Sequence, residues 1–373
     1  IAIFVNHSQY IAVFIDNPPV FIDIADKALK DNAMKKCIMI ATMLIVVSLV
    51  LSACSSSVPK TSDKNNDIES EHSSISPETD KTANRFPDKL VPIPDSYLTE
   101  AKQQGTLQDL YYNTYESFSY DEKSQNLQKH AVVYLPYGYD ESKKYPVFYL
   151  MHGGWSNEYT YLGSPDEPHG MKHILDHGIA NGKIQPMIVV CPTYNNTSPE
   201  DSGDYSLALR LTDNYHNELI NDLIPAVEGK YSTYAEDTTP EAIAASRDYR
   251  AFCGFSMGSM ATWRTFEHSL DYFRYFMPSS GGPAASTETY ESVIKNSGHE
   301  WDDFFIFAAS GTNDFAYSGF KNEIDTMRES DSGLFRFADN EAEGNLYYLE
   351  SDGVHSGYYA MLYFYNGLCW IWR

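Results

Sequence analysis

The residues best placed to do chemistry are Gly254-Phe255-Ser256-Met257-Gly258, a G-x-S-x-G pattern. Two glycines around a serine suit a strand-to-helix turn too tight for side chains on either side. Such a turn lifts the serine hydroxyl clear of the sheet and leaves the next N–H facing a developing oxyanion. The pentapeptide alone is short enough to arise by chance, and its flanks give it weight. The strand-like YRAFC runs into it and the helix-like MATWRTFEHSL runs out of it. Ser256 is the expected nucleophile, and Met257 the expected donor of one oxyanion N–H.

A serine nucleophile needs a base to take its proton and an acid to orient that base. Where this turn occurs, the chain order is serine, acid, histidine, each on a loop after a strand. The strand-like DFFIFAAS ends in Gly311-Thr312-Asn313-Asp314, which makes Asp314 the candidate acid; Asp302 and Asp303 precede that strand and lie at its wrong end. LYYLES leads to Asp352-Gly353-Val354-His355, and His355 is the sole histidine after Asp314, so order selects it as the base. His152-Gly153-Gly154-Trp155 follows the apolar PVFYLM, a position from which an HGG turn supplies a second oxyanion amide, here that of Gly154 or Trp155. His152 precedes the serine and is expected to play a structural part in that loop. Trp155, Tyr159, Tyr194 and Phe315 each follow an expected strand and are candidate contacts for a flat phenolic or sugar ring, although aromatics more often fill cores and surfaces.

These residues depend on elements that bring strand ends together. Strand-length apolar runs occur at 130–136, 146–151, 186–191, 249–253, 273–277, 304–309 and 346–349. Helical stretches lie between them: one covers 171–180, and within 211–231 the residues Leu219, Ile220, Leu223, Ile224 and Val227 recur every three or four positions on one face. Alternating strands and helices predict an α/β fold with a mostly parallel central sheet and helices on both faces. Ligands in such sheets sit at the carboxyl ends of the strands, where all the candidate residues fall. The polar, irregular stretches 198–207 and 234–246 are candidate lids or rims.

The 373 residues carry 51 acidic and 27 basic side chains, a net charge of −24, with no cluster of Lys and Arg of the kind phosphate contacts require. Nucleic acid is therefore not an expected partner. Of five cysteines, Cys191 and Cys253 close apolar runs and read as buried small hydrophobes. No Cys/His cluster has zinc-ligand spacing, and no metal or other cofactor is expected. Met34-Lys35-Lys36, an apolar run over 37–51 and Leu51-Ser52-Ala53-Cys54 have the order of an export signal. Its ending resembles a bacterial lipoprotein signal over 34–54, which implies lipidation of Cys54 and attachment to the outer face of the cell membrane. Residues 1–33 then read as an upstream extension foreign to the natural protein, or as a real extra segment. Residues 55–89 are polar, with almost no large apolar side chain, and read as a disordered tether before a domain spanning 90–373.

From about residue 98 to 368 the chain resembles the esterase D group that contains bacterial feruloyl esterases, carbohydrate esterase family one. The likeness rests on KHAVVYLPYGYD, YPVFYLMHGG, FCGFSMGSMATW, FMPSSG, GTND and GVHSG, all in order. It implies one α/β-hydrolase domain, a Ser256–Asp314–His355 triad, and cleavage of ferulate or acetate esters from plant cell-wall polysaccharide without a cofactor. Feruloyl esterase is the leading expectation, with acetyl xylan esterase or a mycolyltransferase-like acyl transferase as alternatives. Many members carry a glycine where this chain has Ser259.

Overall fold

In the computed structural model the described residues are 2–5, 10–14, 20–23 and 84–373 other than 283. The chain divides into two compact units, Ile1–Ile75 and Ser76–Arg373. In the first, strands β1 (Ala2–Val5), β2 (Tyr10–Phe14) and β3 (Val20–Asp23) form an antiparallel sheet. The expected signal and Cys54 lie outside the described residues. Among the described residues no helix is long and apolar enough to cross a membrane.

The second unit is built on eight strands: β4 (Thr106–Tyr115), β5 (Asn126–Leu135), β6 (Val147–Met151), β7 (Ile188–Cys191), β8 (Arg250–Phe255), β9 (Tyr275–Ser279), β10 (Phe305–Gly311) and β11 (Leu346–Ser351). They lie in the order β11-β10-β9-β8-β6-β7-β5-β4. β7, β6 and β8 to β11 run parallel, while β4 and β5 are antiparallel additions at one edge. The mostly parallel sheet agrees with expectation. β4 is an unforeseen strand, because only Leu110, Tyr112 and Thr114 of TLQDLYYNTY are buried and polar residues alternate with them.

Side chains alternate across the sheet, and each face carries its own apolar core. Ala131, Val133, Val147 and Tyr149 turn to one face; Val132, Tyr134, Phe148 and Leu150 turn to the other. The first face is covered by helices α2 (Tyr205–Glu218), α3 (Ile224–Glu228), α4 (Pro240–Ala245), α5 (Met257–Ser269), α6 (Thr287–Ser297) and α7 (Tyr317–Arg328). The second is covered by α1 (Gly170–Ala180), α8 (Gly357–Leu368) and the segment around Phe86, Ile93 and Tyr97. The helix expected through 211–231 does bury Leu219, Leu223, Ile224 and Val227, but Ile220 is only half-buried and a π-helical turn, Leu219–Leu223, interrupts it. Pro225 cannot donate to the carbonyl four residues back, so the local register widens and the Ile224 N–H reaches the Leu219 carbonyl.

One expected boundary shifts and one candidate rim lies away from the site. The tether was expected to run through residue 89, yet Phe86 is buried, stacking on Trp370 at 4.1 Å and Phe307 at 4.5 Å. The folded domain thus includes residues placed in the tether. The stretch 234–246, a candidate rim, packs at the opposite end of the sheet from the candidate site: Arg250, the first residue of β8, donates from Nη1 to the Ile243 carbonyl at 2.8 Å.

Candidate active site

The sheet reverses its winding at β6, with β7 on one side and β8 on the other. Ligand crevices open beyond the carboxyl ends of strands at such a point. β6 and β8 pair in parallel with Met151 opposite Gly254, so the HGG loop and the serine turn leave the sheet side by side. Ser256 sits at φ 61°, ψ −120°, between the end of β8 and the start of α5. That positive φ is strained for a residue with a Cβ and persists because the surroundings hold it. The Ser256 N–H donates to the Ser279 carbonyl at 3.0 Å, and its carbonyl accepts from the N–H groups of Ser259 and Met260.

Both flanking glycines are needed, as the motif implied. A Cβ at Gly254 would lie 2.7 Å from the Gly258 Cα, and one at Gly258 would lie 2.8 Å from the His152 carbonyl oxygen. Ser259, the departure from the family pattern, is fully buried and donates from its hydroxyl to the Gly281 carbonyl at 2.9 Å. Gly281 in turn packs against the Ser256 carbonyl with no room for a Cβ. The extra hydroxyl therefore ties the turn to the loop after β9.

Asp314 and His355 come from the loops after β10 and β11, as expected. The His355 Nδ1–H donates to the carboxylate of Asp314, with both oxygens at 2.8 Å. The Asp314 side chain is inaccessible to solvent, and its Oδ1 also accepts the Ala316 N–H at 2.8 Å. This arrangement leaves Nε2 of His355 as the nitrogen able to accept a proton. The imidazole is flanked by Phe255 at 4.4 Å and Phe315 at 4.2 Å, centroid to centroid, which sets it beside the residue preceding Ser256. Among the described residues no hydrogen bond joins Ser256 Oγ to His355, a contact that often tightens only once substrate is bound.

Of the expected oxyanion donors, Met257 opens α5, so its N–H has no intrahelical acceptor. The Trp155 amide is committed elsewhere, donating to the Ser202 carbonyl at 2.9 Å. Its N–H is therefore already paired in this structure, whereas no hydrogen bond of the Gly154 N–H occurs among the described residues. His152 is buried away from solvent, its Nδ1–H donating to the Gly153 carbonyl at 2.7 Å and its Nε2 accepting from the Thr193 hydroxyl at 2.8 Å. Burial pushes its pKa down to about 4, so it is neutral at ordinary pH and structural, as expected.

The four aromatic candidates divide. Trp155 and Phe315 are well exposed. Tyr159 is at the border of exposure and stacks on His130 at 5.2 Å. Tyr194 is 1% exposed and donates its hydroxyl to the Gly153 carbonyl at 2.8 Å, so it is a loop fastener and not a substrate contact. Thr193, Ser202 and Asn195, whose Oδ1 accepts the Ser202 N–H at 2.8 Å and whose Nδ2 donates to the Ser156 carbonyl at 3.1 Å, escaped sequence reading, since their roles depend on contacts across loops. Among the described residues, Asp213, Glu267 and His268 lie close enough to share a metal ion, but Arg264 already pairs with Asp213 at 3.1 Å and Glu267 at 2.5 Å.

The strained serine turn, the paired histidine and acid, and the mostly parallel sheet define an α/β-hydrolase. The chain belongs to the esterase family whose model ("Putative esterase") matches residues 123–314. It is 39% identical over 284 residues to endo-1,4-beta-xylanase Y of Acetivibrio thermocellus, covering 74% of this chain and 24% of that protein. The endo-1,4-beta-xylanase/feruloyl esterase of Xylanibacter ruminicola is 31% identical over 179 residues, covering 47% of this chain and 22% of that protein. The chain thus spans about a quarter of the length of these curated relatives. Among solved structures, the feruloyl esterase module from Clostridium thermocellum in complex with sinapinate is 36% identical, with a TM-score of 0.68 over 78% of this chain and 96% of that one.

Proposed function

We propose that the protein is a serine carboxylic ester hydrolase that releases ferulate from feruloylated plant cell-wall polysaccharide. The observation that carries this reading is Ser256 at the strained turn, beside a His355 held by Asp314. His355 Nε2 takes the proton of Ser256 as Oγ attacks the ester carbonyl, and the N–H groups of Met257 and Gly154 receive the developing oxyanion. Collapse returns the proton to the leaving sugar alcohol and leaves an acyl-enzyme. Water, activated by the same histidine, then releases the acid. Phe315, exposed and packed on His355, and the exposed Trp155 of the HGG loop suit a phenolic acyl group. The xylanase and feruloyl esterase names of the relatives point the same way.

The test is release of ferulate and acetate from feruloylated, acetylated arabinoxylan, with Ser256→Ala as the blank. Ferulate from the wild type alone supports the reading. Acetate alone moves the enzyme to acetyl xylan esterase, and capture of the acyl group by an added sugar moves it to acyl transfer.

The sequence over 34–54 supports a second part of the proposal: export, lipidation of Cys54 and anchoring of the esterase at the outer face of a bacterial membrane. Metabolic labelling with a fatty acid should mark the wild type and not Cys54→Ser; equal labelling of both would refute the anchor.

A further inference from the structure

The oxyanion loop is held from its buried side by a continuous polar network. The Gly153 carbonyl accepts two hydrogen bonds, from His152 Nδ1–H at 2.7 Å and from the Tyr194 hydroxyl at 2.8 Å. The two rings stack on each other at 4.4 Å. Behind them, Thr193 donates its hydroxyl to His152 Nε2 at 2.8 Å and offers its carbonyl to Lys129 Nζ at 2.7 Å. Lys129 is itself buried and paired with Glu218 at 2.7 Å, and Glu218 accepts the Tyr112 hydroxyl at 2.6 Å. On the other side, Ser202 takes the Trp155 N–H with its carbonyl and donates its hydroxyl to the Ser156 carbonyl at 2.7 Å.

A peptide unit is planar and trans, so the Gly153 carbonyl and the Gly154 N–H point in opposite directions within one plane. Two donors on the carbonyl oxygen fix that plane and polarise the unit, which makes its N–H a better donor. A Cβ added to Gly153 would lie 3.5 Å from the Cβ of Ser256, so this peptide borders the nucleophile. We propose that His152 and Tyr194 are positioning residues that act through the Gly153 carbonyl to aim the Gly154 N–H at the oxyanion, with the Lys129–Glu218 pair anchoring Thr193 behind them. The inference rests on the esterase reading above and adds to it the residues that set up its oxyanion site. Neither side chain touches substrate; each works by holding an amide that gains its full value only as negative charge develops.

The full chain is assayed with 4-nitrophenyl acetate, which needs Ser256 but no feruloyl pocket, and kcat is normalised to sites titrated by a fluorophosphonate. Tyr194→Phe keeps the stacked ring and removes one donor. It should lower kcat about tenfold with KM within about twofold and an unchanged melting temperature. Removing both donors in Tyr194→Phe/His152→Leu should approach, and not exceed, the loss of about 10² to 10³ that follows removal of one oxyanion donor. His152→Asn, whose amide can still donate to the Gly153 carbonyl, should recover part of what His152→Leu loses. Wild-type kcat per titrated site in both Tyr194→Phe and His152→Leu, with Ser256→Ala inactive, would overturn the inference and leave the esterase reading intact. Turnover persisting in Ser256→Ala would overturn both.

Discussion

Asp314 grips His355 through both carboxylate oxygens while buried from solvent, so it fixes which imidazole nitrogen carries the proton. Asp314→Asn has nearly the same shape but can present its amide to the ring and favour the wrong tautomer. It should lower kcat by about 10⁴ while circular dichroism and the melting temperature stay near wild type. A loss of less than tenfold would remove Asp314 from the mechanism. At this scale chain order and strand ends single out Ser256, Asp314 and His355 without knowledge of contacts, and the structure sets Asp314 against His355 and Ser256 at the turn after β8. The sequence was poorly legible for Trp155 and Tyr194. Both follow strands and are aromatic, yet one has its amide bound by Ser202 and the other has its hydroxyl bound by Gly153, destinations that exist only once distant loops meet.

At the scale of elements, the pairing of β6 with β8 sets the site, since it places the HGG loop against the serine turn. The runs PVFYLM and YRAFC showed both strands in sequence, but not that they are neighbours. β4 stayed hidden because an edge strand with half its side chains in water lacks a strong apolar run. Helix α7 carries a conflict of a different kind. Glu323 is buried, and neither carboxylate oxygen has a hydrogen-bond partner among the described residues. Burial pushes its pKa well above the usual carboxyl range, so the folded protein holds a proton there that the unfolded chain releases near pH 4.5. The native state therefore binds more protons above that pH, and stability falls as pH rises through the window. Glu323→Met should stabilise the protein by about 1–3 kcal/mol at pH 7, with the gain shrinking toward pH 4.5. Denaturant titrations at both pH values measure it; a loss of stability at pH 7 would mean that Glu323 has a polar partner after all.

At the scale of the molecule, the hydrolase unit is closed by the segment around Asn84 and Phe86 packing onto its last helix and strands. Phe86 stacks among Phe305, Phe307, Tyr347 and Trp370, and Asn84 donates to the Trp370 carbonyl at 2.8 Å. Composition blurred this boundary, since one phenylalanine in a polar stretch carries little weight in a window average although it fills a core site. Phe86→Ala should cost about 3–5 kcal/mol of unfolding free energy, and a chain beginning at residue 90 at least as much. Equal denaturation midpoints for chains beginning at 84 and 90 would show the segment to be dispensable. In the proposed mechanism Ser256 carries the acyl group between polysaccharide and water. The most direct measurement is rapid acid quenching of the protein during turnover of methyl ferulate, followed by mass spectrometry of the peptide containing residue 256. A feruloyl adduct on Ser256, absent from Ser256→Ala, is the predicted result; ferulate release that persists in Ser256→Ala with no adduct would contradict it.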